Sequence, residues 1–111
     1  MTISVRRTGG IAGVNEVLGP VEANDEIGGL VESIGFFDLP DRLPGGEDIA
    51  DAFQYAITVE DGYRSKTVSF TDTPDDTHRG VQQLIGLVEG TGAEWKDQRG
   101  AAAGQPSGDS Y

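Results

Sequence analysis

Two alternating runs, FQYAITVE at 53–60 and YRSKTVSF at 63–70, flank Asp61 and Gly62 and give the chain its clearest pattern. A period of two makes each run a strand, and Asp-Gly suits the positive φ angles of a two-residue hairpin turn. With Asp61 and Gly62 as the loop, Glu60 faces Tyr63, Ile57 faces Lys66, Tyr55 faces Val68 and Phe53 faces Phe70. That pairing gathers Phe53, Tyr55, Ile57, Val59, Val68 and Phe70 on one face, and Gln54, Thr58, Glu60, Ser65, Thr67 and Ser69 on the other. Arg64 and Lys66 fall on the apolar face near the turn, where their stems can cover Val59 and Ile57 while the charges reach water.

The same period marks a first strand at 2–8, with Ile3 and Val5 on one face, and a second strand at 14–21. Between them stand Gly9, Gly10, Ile11, Ala12 and Gly13, whose glycines make a turn or exposed loop. Pro20 has no N–H to give a sheet ladder, which calls for an edge position or a bulge. Helical spacing appears twice. Asn24 caps a run with Asp25 and Glu26 in its first turn and Ile27, Leu30, Val31 and Ile34 as its apolar stripe. Gly28 and Gly29 weaken that helix by about 1 kcal/mol each against Ala, so packing must hold it. Gly35 supplies its left-handed end, and 36–39 should run extended into Pro40. A surface loop over 41–52 follows. Thr73, Pro74 and Asp76 then specify the start of a second helix, with Val81, Leu84, Ile85 and Val88 as its stripe and Gly90 or Gly92 as its end. The expected fold is α+β: an antiparallel four-stranded sheet with two helices on one face, in the order ββαββα. One domain covers 1–91. Residues 92–111 bury too little apolar surface to offset their ordering entropy and read as a flexible, disordered tail. Trp95, alone in that tail, is expected to pack back on the domain.

Composition narrows the partners. The 111 residues include no cysteine, so neither disulfides nor thiolate chemistry contributes. Eight Lys and Arg stand against nineteen Asp and Glu, a formal net charge of −11. Such a field repels phosphate backbones and anionic headgroups, which argues against nucleic acid and membrane partners. No run approaches the roughly 18 apolar residues of a membrane span, and no secretory pattern follows Arg6 and Arg7, so a soluble cytoplasmic protein, a monomer when free, is expected.

Candidate chemistry is sparse. His78 is the only histidine and is expected to be a solvated helix residue, because no partner segment for a nucleophilic triad can be named. A zinc site built from Cys and His is excluded by count. Glu47, Asp48 and Asp51 lack the alternating spacing of an EF-hand calcium loop and read as a solvated acidic loop. The glycines at 9–13 lack the Lys and following helix of a phosphate cradle. No catalytic residue, metal or cofactor is assigned, and a binding module is favoured over an enzyme.

Several stretches taken in order resemble the emfourin family: Arg6 and Arg7 followed by GGIAG at 9–13, FFDLP at 36–40, DAFQYAITVEDG at 51–62, and the last helix with Leu84 and Ile85. Emfourins are small protein inhibitors of protealysin-like, thermolysin-type zinc metalloproteases. Ile11 stands where an aromatic is expected, and the chain after Gly92 has no counterpart. The resemblance implies inhibition by occlusion, in which a rigid α+β body covers the active-site cleft. Gly9, Gly10, Ile11, Ala12 and Gly13 are then the expected protease contacts, with Ile11 filling the pocket that thermolysin-like enzymes keep for a bulky apolar residue after the scissile bond. Ile11 closing one end of the core is the competing reading. At the level of function, the alternative is an acidic immunity- or antitoxin-like module for a basic protein partner.

Overall fold

In the computed structural model, which describes residues 1–10, 13–73 and 78–98, the first strand lies at the centre of the sheet. Strand β1 (Thr2–Gly9) pairs antiparallel with β2 (Val14–Glu22) on one side and with β3 (Phe53–Asp61) on the other. Strand β4 (Arg64–Thr71) lies outside β3, and a short β5 (Trp95–Asp97) lies outside β2, giving the order β4-β3-β1-β2-β5. Helices α1 (Asp25–Ser33) and α2 (Arg79–Glu89) complete the α+β fold. The sheet therefore has five strands, not four. The element order departs from ββαββα by a final strand that begins at Trp95 and by a 3-10 turn after α1.

The core follows the two periodicities. Ile3, Val5, Leu18, Ile57, Val59, Val68 and Phe70 are buried in phase on one sheet face, against Ile27 and Val31 of α1 and Val81, Leu84, Ile85 and Val88 of α2. Burying each such side chain stabilises the fold by about 1.5–3 kcal/mol. Thr58 and Thr67 lie on the opposite face, their hydroxyls 2.8 Å apart.

One register detail makes the core continuous. The pairing of β1 with β2 shifts between Ile3↔Val21 and Val5↔Leu18, a β-bulge at Gly19 and Pro20. Leu18 and Val21 are an odd number of residues apart, so an unbroken strand would point them to opposite faces. The extra residue lets both meet the core. Gly19 sits at φ +88°, and a Cβ there would stand 2.9 Å from the Ile3 carbonyl oxygen.

The caps of α1 follow the sequence. Asn24 Oδ1 accepts from the Ile27 N–H at 2.9 Å, and Gly35 takes the left-handed conformation at φ +64°. Pro74 and Asp76 of the expected α2 start lie outside the described residues, whereas Thr73 is not helical and α2 is described from Arg79, after His78, which makes no side-chain cap bond among the described residues. Residues 36–38 form a 3-10 turn and not an extended run, with only Leu39 extended before Pro40. The tighter turn buries Phe36 edge-on to Phe37, and the Arg64 guanidinium lies 4.1 Å over the Phe37 ring.

The hairpin slides by two residues from the expected pairing. Asp61 pairs with Arg64, Ile57 with Val68 and Tyr55 with Phe70, so Gly62 and Tyr63 form the loop, with Gly62 at φ +65°. A slide of two keeps every side chain on its expected face. The loop over 41–52 is not detached from the sheet. Ser69 N donates to Asp41 O at 2.8 Å, Leu43 N donates to Ser69 O at 2.9 Å, and Lys66 Nζ reaches Asp41 Oδ1 at 2.8 Å. These bonds cover part of the outer edge of β4, as β5 covers part of β2.

Candidate functional site

The turn between β1 and β2 leaves the middle of the sheet, because its first residue is held from both sides: Gly9 pairs with Val14 of β2 and with Phe53 of β3. Gly9, Gly10 and Gly13 have φ of +95°, +75° and +64°, and Gly13 N donates to Gly10 O at 3.2 Å. Three positive φ angles in five residues are open to glycine at little steric cost. Ile11 and Ala12, the other two expected contacts, lie outside the described residues.

Behind the turn, the core-side face of the sheet continues past the last aliphatic residues into a polar-aromatic cluster. The Phe53 ring fills the space a Gly10 side chain would need, 2.7 Å from where that Cβ would stand. The Arg7 guanidinium lies 5.3 Å from the Phe53 ring centre and 4.1 Å from that of Trp95. Glu16, opposite Arg7 on β2, accepts from Arg7 Nε at 2.9 Å and also from Nη2. Burial alone lowers the Arg7 pKa, but hydrogen bonds to Glu16 and Tyr55 more than offset it, so the value rises above its ordinary one. Tyr55 stacks on Phe70 with ring centres 5.4 Å apart. Burial raises its phenol pKa, against the pull of the Arg7 hydrogen bond. Trp95 Nε1 donates to Glu89 Oε2 at 2.9 Å, tying β5 to the last turn of α2.

This cluster was legible only in part. Arg7 is in phase with Ile3 and Val5, so a cation falls on the core face and requires anionic or aromatic partners. The sequence contained that signal, and Trp95 packs back on the domain as expected, but it does so on a strand that the pattern does not reveal.

The other candidates change character. His78 is buried and not solvated: it is 5% exposed, its ring 5.3 Å from that of Phe70, and its Nε2 has no hydrogen-bond partner among the described residues. It lines an apolar groove of about 340 Å³ with Ile34, Leu39, Leu43, Pro44 and Val81, and no other titratable side chain among the described residues lines it. The Glu47 carboxylate folds back onto its own backbone N–H and that of Gly45, and these bonds hold its carboxyl below the usual range. Among the described residues no group of three or more His, Asp or Glu is placed to hold a metal ion. No helix among them is long and apolar enough to cross a membrane.

No curated protein and no solved structure matches the chain. The family model Emfourin matches residues 5–89, from the middle of β1 to the end of α2, with both the glycine turn and the hairpin inside the match. The chain belongs to the emfourin family.

Proposed function

We propose that this protein is a stoichiometric inhibitor of a protealysin- or thermolysin-like zinc metalloprotease, acting as a plug. The turn bearing Gly9, Gly10, Ile11, Ala12 and Gly13 enters the active-site cleft, and the adjoining sheet end covers it. Membership of a family of protease inhibitors, not of enzymes, is the observation that carries the reading. The shape of the turn supports the choice of contact. A narrow, side-chain-poor loop can enter a cleft, and it projects here from the central strand of the sheet. Ile11 offers it one apolar anchor. The zinc belongs to the protease, and this chain contributes no reacting group. An interface of this kind buries about 1,600 Å² in total, within reach of one end of a small domain.

The test is titration of the protein against both protease types, following peptide cleavage at fixed zinc. Activity should fall to an end point near one inhibitor per enzyme and should not return on adding zinc. Ile11→Asp should raise the inhibition constant at least about thirtyfold at an unchanged Tm, the loss of a buried anchor. No inhibition at excess would overturn the proposal. Loss of folding in Ile11→Asp would return Ile11 to the core and move the contact elsewhere.

The net charge of −11 favours a second reading, the acidic partner of a basic protein. Salt separates the two. A contact dominated by an apolar turn weakens little between low and physiological salt, where the Debye length is about 8 Å, whereas charge-driven binding weakens steeply.

A further inference from the structure

Trp95, Arg7, Phe53 and Gly10 form an unbroken line of contacts from α2 to the turn. Glu89, at the end of α2, fixes the Trp95 indole through Nε1. Trp95 lies across from Leu18 in the sheet and presents its face to the Arg7 guanidinium at 4.1 Å. Glu16 holds Arg7 from the neighbouring strand, and Arg7 lies against the Phe53 ring. The Phe53 ring in turn occupies the place of a Gly10 side chain. Each member therefore limits the motion of the next.

We infer that Trp95 and Arg7 are positioning residues, which act through Phe53 to hold Gly10, and with it the Gly13 N–H bond to the Gly10 carbonyl, in place before a partner arrives. The inference rests on the inhibitor reading for its consequence but not for its physics. A turn of glycines has the largest backbone entropy to lose on binding, and one held in advance does not lose it at the moment of association. The brace explains why an arginine stands in phase with the core and why a three-residue strand carries the chain's only tryptophan.

The experiment compares Trp95→Leu, Trp95→Phe and Arg7→Met with the unsubstituted chain. Amide exchange is followed at Gly13, whose N–H closes the turn, and at Val5 and Ile57 in the central strands. Loss of the cation–aromatic stack should speed Gly13 exchange about five- to thirtyfold in Trp95→Leu and Arg7→Met, with Val5 and Ile57 unchanged. Trp95→Phe keeps a ring under the guanidinium and should restore slow exchange at Gly13. A role in global stability alone would move all three amides together. In the inhibition assay, the inhibition constant should rise in the same two variants by a similar factor, with Trp95→Phe near the unsubstituted protein. Unchanged Gly13 exchange in a folded Trp95→Leu or Arg7→Met overturns the inference, as does acceleration shared equally by the core amides. If Trp95→Leu does not fold, Arg7→Met decides. If the unsubstituted protein inhibits no thermolysin-like protease, the proposed function falls, while the exchange comparison still decides the brace.

Discussion

Replacing Gly19 by alanine separates two costs that are usually confounded. Gly19 and Gly13 both have positive φ, +88° and +64°. A Cβ on Gly13 would meet nothing within 4 Å among the described residues, whereas one on Gly19 would stand 2.9 Å from the Ile3 carbonyl oxygen and 3.1 Å from the Val21 nitrogen. Both neighbours are backbone atoms of paired strands, so no side-chain rotation can relieve the contact. The left-handed conformation costs an alanine about 1–2 kcal/mol, of which the lost freedom of the unfolded chain returns about 0.4–1 kcal/mol. Gly13→Ala should therefore destabilise by about 0.5–1 kcal/mol. Gly19→Ala adds an overpacking cost of about 1–3 kcal/mol, for a total near 2–4 kcal/mol. For a domain of this size that difference separates the two melting temperatures by roughly 10 °C. Urea unfolding followed by far-UV circular dichroism measures both variants, and the slope should not change. Equal midpoints would refute the steric argument and, with it, the claim that the bulge is held by a glycine that nothing else can replace.

Three further outcomes are expected. Asn24→Ala removes the side-chain cap of α1 and should cost about 1 kcal/mol, with Asn24→Asp close to the original, as read by urea midpoints. The Tyr55 phenol is raised from its ordinary 10.0 chiefly by burial, so the folded state favours its neutral form. Stability from this group is complete below that ordinary value and is lost as pH rises through the higher folded one; midpoints taken up to about pH 11 should fall less in Tyr55→Phe. Tyr63 is fully exposed in the loop of the β3–β4 hairpin, at the other end of the strands from the glycine turn. Tyr63→Ala should change stability by less than about 0.5 kcal/mol and leave inhibition unchanged, and a loss of inhibition there would move the contact surface to the opposite end.

The sequence revealed what periodicity encodes and missed what distant segments create. The stripe of α2 and the faces of the hairpin are visible because a helix repeats every 3.6 residues and a strand every two. The hairpin register was not recoverable from the same signal, since a slide of two preserves every face, and Asp-Gly suggested a turn one residue too early. Gly62, at φ +65°, is the first loop residue and not the second, and Tyr63 follows it. Strand β5 has three residues and no alternation to read, and its pairing depends on the free edge of β2. His78 sits among polar neighbours in sequence, yet it is buried beside Pro44 and Leu43 from the loop ahead of β3. The glycine turn was visible as a candidate site. Its brace was not, because Arg7, Phe53 and Trp95 meet only once the sheet order is fixed.

Under the proposed inhibition, that order bears on how the turn would resist cleavage. A loop that enters a protease cleft is a substrate unless its backbone is costly to rearrange, and the cost depends on how many strands must move with it. The β1–β2 turn grows from the central strand, whose final residue is paired to neighbours on both sides. The β3–β4 turn is built partly from an edge strand and ends in an exposed tyrosine. Moving the first turn out of register would disturb Val14 and Phe53 together and, through Phe53, the stacked arginine behind it. At the glycine end, therefore, the strand that enters the turn is paired on both sides up to its last residue, and Gly10, which has no side chain, is backed by the Phe53 ring.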